Sequence, residues 1–163
     1  MRKLTPVALA SLTVFALAAC KAHPAPATGP QPVAAPPGSA TGGADARSAV
    51  LAFLNAGKAQ DLQALSAVWG TSEGSARSNN NMSRDEMEKR ELIMMCYLDH
   101  ETHQVLSDAP SANNERVVAV QLRRGLLTRT ANFQAVPGPG GRWYVRAFDM
   151  EALTDFCRSK GRG

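Results

Sequence analysis

The chain reads as an α+β protein. Apolar residues recur at helical spacing from about residue 45 to 98, then alternate at strand spacing from about 102 to 148. A third observation bounds the domain: Lys21 to Ala44 is nearly all Pro, Ala, Gly, Ser and Thr, with Val33 its only large apolar residue. Such a segment buries too little apolar surface to offset its ordering entropy, so the fold is expected from Asp45 to about Lys160, the length of a single domain.

Asp45 is a good helix N-cap, and Val50, Leu51, Phe53 and Leu54 place an apolar stripe on a first helix expected to end at Gly57. Asp61 can cap a second, with Leu62, Leu65, Val68 and Trp69 at helical spacing before Gly70. Gly70 to Asn81 is polar and reads as a loop. Ser83-Arg84-Asp85-Glu86 has the form of a capping box, so a third helix should run to about Tyr97. Its second half, Leu92 to Leu98, is apolar all round and is expected to be deeply buried. Val50, Leu54, Leu65, Val68, Met87 and Leu92 are core positions on periodicity.

Strands follow. Thr102 to Asp108 is the first, and Arg116 to Arg124 alternates with Val118, Val120 and Leu122 on one face. Leu127 to Val136 alternates around Ala131, Phe133 and Ala135. Pro137 to Gly141 is a turn, and Arg142 to Phe148 places Trp143, Val145 and Ala147 on one side. Asp149 can cap a short final helix through Leu153, Phe156 and Cys157. Helices followed by a meander imply a mainly antiparallel sheet.

The N-terminus carries an export signal: basic Arg2 and Lys3, an apolar run from Leu4 to Ala19, and small residues at its end. At about 16 residues, with Pro6 inside, the run falls short of the roughly 20 that span a bilayer as a helix. Leu17-Ala18-Ala19-Cys20 resembles the lipobox of bacterial lipoproteins. The resemblance implies that residues 1–19 are removed and that Cys20 receives a diacylglyceryl group and fatty acids such as palmitate. The membrane is then a partner through lipid on Cys20, whose chains contribute ~0.8 kcal/mol per buried methylene. Lys21 stands where enterobacterial retention at the inner membrane uses Asp, so the expected place is the outer membrane, facing the periplasm. Residues 20–44 form a linker of extended, proline-rich stretches, able to reach several tens of ångströms at ~3 Å per residue.

Charge excludes one class of partner. The whole chain is +4, but of its 18 basic residues only 15 remain once Arg2, Lys3 and Lys21 are set aside, against 14 acidic. A domain of net +1 without a basic stripe gives no reason to expect nucleic acid. Of the three cysteines, Cys20 is reserved for acylation. Cys96 and Cys157 are left as an even pair in an oxidising setting, where a bridge would clip the last helix to the core. Unbridged, they would serve as two small buried hydrophobes.

Ser48 to Leu62, with Leu65 and Trp69, resembles the opening of nuclear-transport-factor-two-like domains, and Gly141-Arg142-Trp143-Tyr144-Val145 resembles one of their last strands. The resemblance covers most of Asp45 to Phe148. It implies N-terminal helices packed in a curved sheet that forms a cone-shaped α+β barrel with a pocket at its wide end. Ketosteroid isomerases and related cyclases share that architecture and use an Asp or Asp/His base inside the cone. On this implication Asp99, His100 and His103 are the candidate bases, with Tyr97 a candidate oxyanion donor.

The residues themselves favour a blander reading. His100 and His103 would share a face for a metal only on a helix, and their segment lies at a helix-to-strand junction. Arg123, Arg129, Arg142 and Arg146 could line one sheet face for an anion, or form an ordinary face crossed by salt bridges. Trp69, Trp143 and Tyr144 read as core and rim aromatics. No metal or cofactor is expected. The functional expectation is a tethered envelope module that binds an envelope protein or a small ligand without catalysis. The alternative is an isomerase-like enzyme working at Asp99, His100 and His103.

Overall fold

Asp45 starts the first helix by a reciprocal cap. Its carboxylate accepts from the Ser48 amide at 2.7 Å while the Ser48 hydroxyl accepts from the Asp45 amide at 2.9 Å. The computed structural model describes residues 41–79 and 82–160. The export signal, Cys20 and the greater part of the linker lie outside the described residues. Helix α1 spans Ala46–Ala59 and is closed by Gln60 with a left-handed φ of 56°. It therefore runs past Gly57, where the sequence places its end. The glycine serves packing: a Cβ there would stand 2.6 Å from the Cβ of the fully buried Leu98.

Asp61 caps α2, Leu62–Val68, by accepting from the Ala64 amide at 3.0 Å. The stretch read as a loop holds a small antiparallel pair, β1 (Gly70–Thr71) and β2 (Gly74–Ser75). Helix α3, Arg84–Tyr97, takes half of the expected capping box: Ser83 accepts from the Glu86 amide at 3.2 Å, while the Glu86 carboxylate turns to Arg90 at 2.7 Å. Glu91, Met94, Met95 and Leu98 form its buried stripe. Leu92 and Ile93 are more than half exposed, contrary to the expected all-round burial, because a helix packed on one side can bury only one stripe. Met87 is half-buried.

Four strands follow: β3 (Thr102–Pro110), β4 (Arg116–Arg124), β5 (Leu127–Pro137) and β6 (Trp143–Phe148). They form an antiparallel sheet in chain order, β3-β4-β5-β6. Val118 and Val120 of β4 oppose Phe133 and Ala131 of β5, and all four are buried. In β6 the expected alternation breaks. Pairing passes from Ala135↔Val145 to Gln134↔Ala147, leaving Arg146 as an extra residue. The bulge reverses the faces, so Ala147 is exposed and Phe148 points inward.

Helix α1 lies across the inner face. The Phe53 ring meets Phe133 at 6.3 Å and Phe148 at 5.7 Å, while Phe133 and Phe148 stack at 5.5 Å. The sheet stays open, which corrects the expected barrel: β3 and β6 are its two edges. The outer edge of β6 is taken by other segments. Gly43 and Trp143 exchange amide hydrogen bonds of 2.7 and 2.9 Å, and Trp69 bridges Val145 in parallel. Ordered contacts thus begin before Asp45. Arg142 donates to the carbonyls of Thr41 and Gly42, and Gly42, at a φ of 71°, adopts a turn that side chains disfavour.

Asp149 accepts from the Ala152 amide at 3.1 Å and leads through a 3-10 turn into α4, Thr154–Lys160. This brings Cys157 against Cys96 of α3 at disulfide distance, with Cα atoms 4.8 Å apart.

In an unconstrained helix interior Gly→Ala gains about 1 kcal/mol. Here Gly57→Ala is expected to lose about 1–3 kcal/mol, because the added methyl overpacks against Leu98. Urea unfolding reads the sign, and a stabilised variant contradicts the close approach.

Candidate functional site

The candidate residues at the α3–β3 junction do come together, in an arrangement fixed by hydrogen bonding. His100 is buried, and its Nδ1 lies 2.6 Å from the Leu98 carbonyl oxygen. A carbonyl only accepts, so a neutral His100 carries its proton on Nδ1 and presents a lone pair at Nε2. That nitrogen sits 2.9 Å from Nδ1 of His103, which therefore donates. The rings meet edge to face at 5.1 Å. The histidines are thus neighbours without a helix, because the turn after Leu98 folds one ring onto the other. Their facing nitrogens are used on each other, and among the described residues no group of three or more His, Cys, Asp or Glu could hold a metal ion.

Burial, then the charges of His103 and Lys58, lowers the His100 pKa below 6.5 against the opposing Leu98 carbonyl and Asp99. Burial and Lys58 lower that of His103. Lys58 is held beside the pair by donating to the Glu101 carbonyl at 2.5 Å. Asp99 pairs with Arg124 at 2.9 Å, and Arg124 also donates to the Phe156 carbonyl at 2.6 Å. Tyr97 is half-buried at the end of α3. The group ties α1, the end of α3, β3, β4 and α4 together.

The arginines do not share a face. Arg123 points away from the core beside buried Leu122. Arg129, on the opposite parity, pairs with Asp155. Arg142 holds the Thr41 carbonyl at 2.9 Å, and Arg146 makes a two-pronged pair with Glu115 at 2.6 and 2.7 Å.

The accessible concave space lies elsewhere. An apolar cleft of about 260 Å³ opens between Phe53 of α1, Ile93 and Met94 of α3, and Val145 to Phe148 of β6, with Met150 at its end. A second of about 270 Å³ is walled by the β1–β2 hairpin, Glu73 and Asn79. Trp69, Arg90 and Arg146 line both. None of Tyr97, Asp99, His100 and His103 lines either. Sequence reasoning missed the clefts. The available signal was α3, whose apolar residues outnumber what one face can cover.

Comparison with family models, curated proteins and solved structures gives no match to this chain.

One buried carboxyl stands apart. Glu91 is 2 % exposed, its Oε1 has no hydrogen-bond partner among the described residues, and burial, aided by Glu88, raises its pKa from 4.5 to about 7. The native state therefore holds a proton that the unfolded chain releases between about pH 4.5 and 7. Stability should fall as pH rises through that window, by about 3 kcal/mol. The histidines, with lowered pKa values, act in the opposite sense: their contribution is lost as pH falls below 6.5. The two effects oppose each other in the same acidic window, so urea unfolding from pH 4 to 8 should show Glu91→Gln gaining stability more steeply than the native chain as pH rises. An unchanged pH dependence in that variant contradicts the assignment.

Proposed function

We propose that this chain is a bacterial lipoprotein whose α+β domain is a tethered, non-enzymatic binding or assembly module in the cell envelope. The carrying observation is Cys20, placed after Leu17-Ala18-Ala19 behind a basic start and an apolar run. Lipid on Cys20 fixes the chain to the outer membrane facing the periplasm, in line with Lys21, and the Pro- and Ala-rich arm separates lipid from domain. The proximity of Cys96 and Cys157 suits an oxidising compartment. Among the described residues no helix is long and apolar enough to cross a membrane.

The resemblance to nuclear-transport-factor-two-like domains belongs to this proposal. Helices before a meander, with α1 across the sheet, support it, while the open sheet departs from a closed cone. The isomerase-like alternative has less support. Asp99 is engaged by Arg124, His100 by Leu98 and His103, and the two clefts contain none of the three.

Growth with an alkyne fatty acid tests the reading. The native chain expressed in a bacterial host should take up the label and lose residues 1–19, and Cys20→Ser should abolish both. An unlabelled chain, or label retained by Cys20→Ser, contradicts the anchor.

A further inference from the structure

The two clefts differ in chemistry and meet at Trp69, Arg90 and Arg146. On one side the floor is aromatic, Phe53 against Phe148 at 5.7 Å, and Ile93 stands 53 % exposed at the mouth. On the other, the Gly70–Ser75 hairpin and Asn79 present hydrogen-bonding groups. A ligand that spans both must be apolar at one end and polar at the other.

Charge selects the polar end. Arg90 and Arg146 outnumber Glu73 on the lining of the second cleft, and the Glu73 carboxylate accepts from Asn79 Nδ2 at 3.1 Å. Arg146 is held by both oxygens of Glu115. Arg90 is held by Glu86 one turn away, in a pair whose side chains are both about half exposed. Such an exposed i,i+4 pair contributes little and is readily exchanged for another carboxylate. Arg90 is thus the cation a ligand can recruit. The apolar compartment, about 260 Å³, holds about nine groups of roughly 30 Å³ each.

We propose that the joined cleft binds a medium-chain carboxylate amphiphile, with its tail against Ile93, Phe148 and Met150 and its carboxylate on Arg90. This names a ligand class for the binding-module reading above, and it rests on the cleft, independently of the anchor. Apolar burial supplies the affinity, and the arginine supplies the preference of sign.

Calorimetry on the full chain carrying Cys20→Ser, which has no acyl group of its own, tests it with decanoate, decanol and decyltrimethylammonium below their micellar concentrations. Decanoate should bind at one site per chain, about tenfold more tightly than the cation, with the alcohol between them. Arg90→Gln should bring decanoate to the level of the alcohol. Ile93→Glu, at an exposed position, should weaken decanoate about tenfold at unchanged Tm. Equal affinity for the three probes overturns the carboxylate assignment, and decanoate binding untouched by Ile93→Glu overturns the cleft. Absence of saturable binding by any probe overturns the proposal, while the anchor reading still stands or falls on the Cys20 label.

Discussion

The contact between α1 and the inner face of the sheet carries the rest of the domain. A four-stranded antiparallel sheet has one face to hide, and here a single helix covers most of it. Phe53 reaches from that helix into the angle between Phe133 and Phe148, on the two strands farthest from β3. Full burial of a phenylalanine contributes roughly 2–3 kcal/mol from area alone, and ring pairs of this geometry add about 1 kcal/mol each. The reciprocal cap at Asp45 and Ser48 sets where the helix begins. Gly57 then lets the far end of α1 settle against Leu98, so that the end of α3 is positioned by α1.

The open edges follow from this arrangement. With α1 across the face, the edge of β6 is completed by Gly43 and by Trp69, and both are local to the helical layer. Beyond Val145 that cover stops. The bulge at Arg146 turns Phe148 inward and Ala147 outward, and the apolar cleft opens between this stretch of β6 and α3. The opposite edge, β3, carries its own bulge at Leu106 and ends in Pro110, features that discourage strand-to-strand association. Of the exposed large apolar residues Leu92, Ile93, Leu106 and Leu126, Ile93 is the one that lines the cleft on the β6 side.

The parts of the fold legible in the sequence are those that local chemistry decides. Asp45, Asp61, Ser83 and Asp149 each act at a helix or turn start, because a short oxygen-bearing side chain finds a backbone amide within three residues. The alternation in β4 and β5 marks their buried faces because successive side chains of a strand point to opposite sides of the sheet. What was not legible depends on distant partners. Gly57 looks like a helix stop until Leu98 is placed over it. Ala147 looks buried until pairing with β5 inserts Arg146. Closure of the sheet is decided by whether β3 or the helical layer takes the β6 edge. The His100–His103 pair was visible as two residues, but its bond depends on the turn after Leu98, and the cleft is assembled from α1, α3 and β6 together.

The most direct measurement is a set of ring-to-ring nuclear Overhauser contacts in protein labelled at its five phenylalanines. The account predicts mutual contacts among Phe53, Phe133 and Phe148, whose centroids lie 5.5 to 6.3 Å apart. A Phe148 ring without contact to Phe53, with the Ala147 methyl in its place, would mean that β6 pairs without the bulge. The cleft and the order built around α1 would then both be wrong.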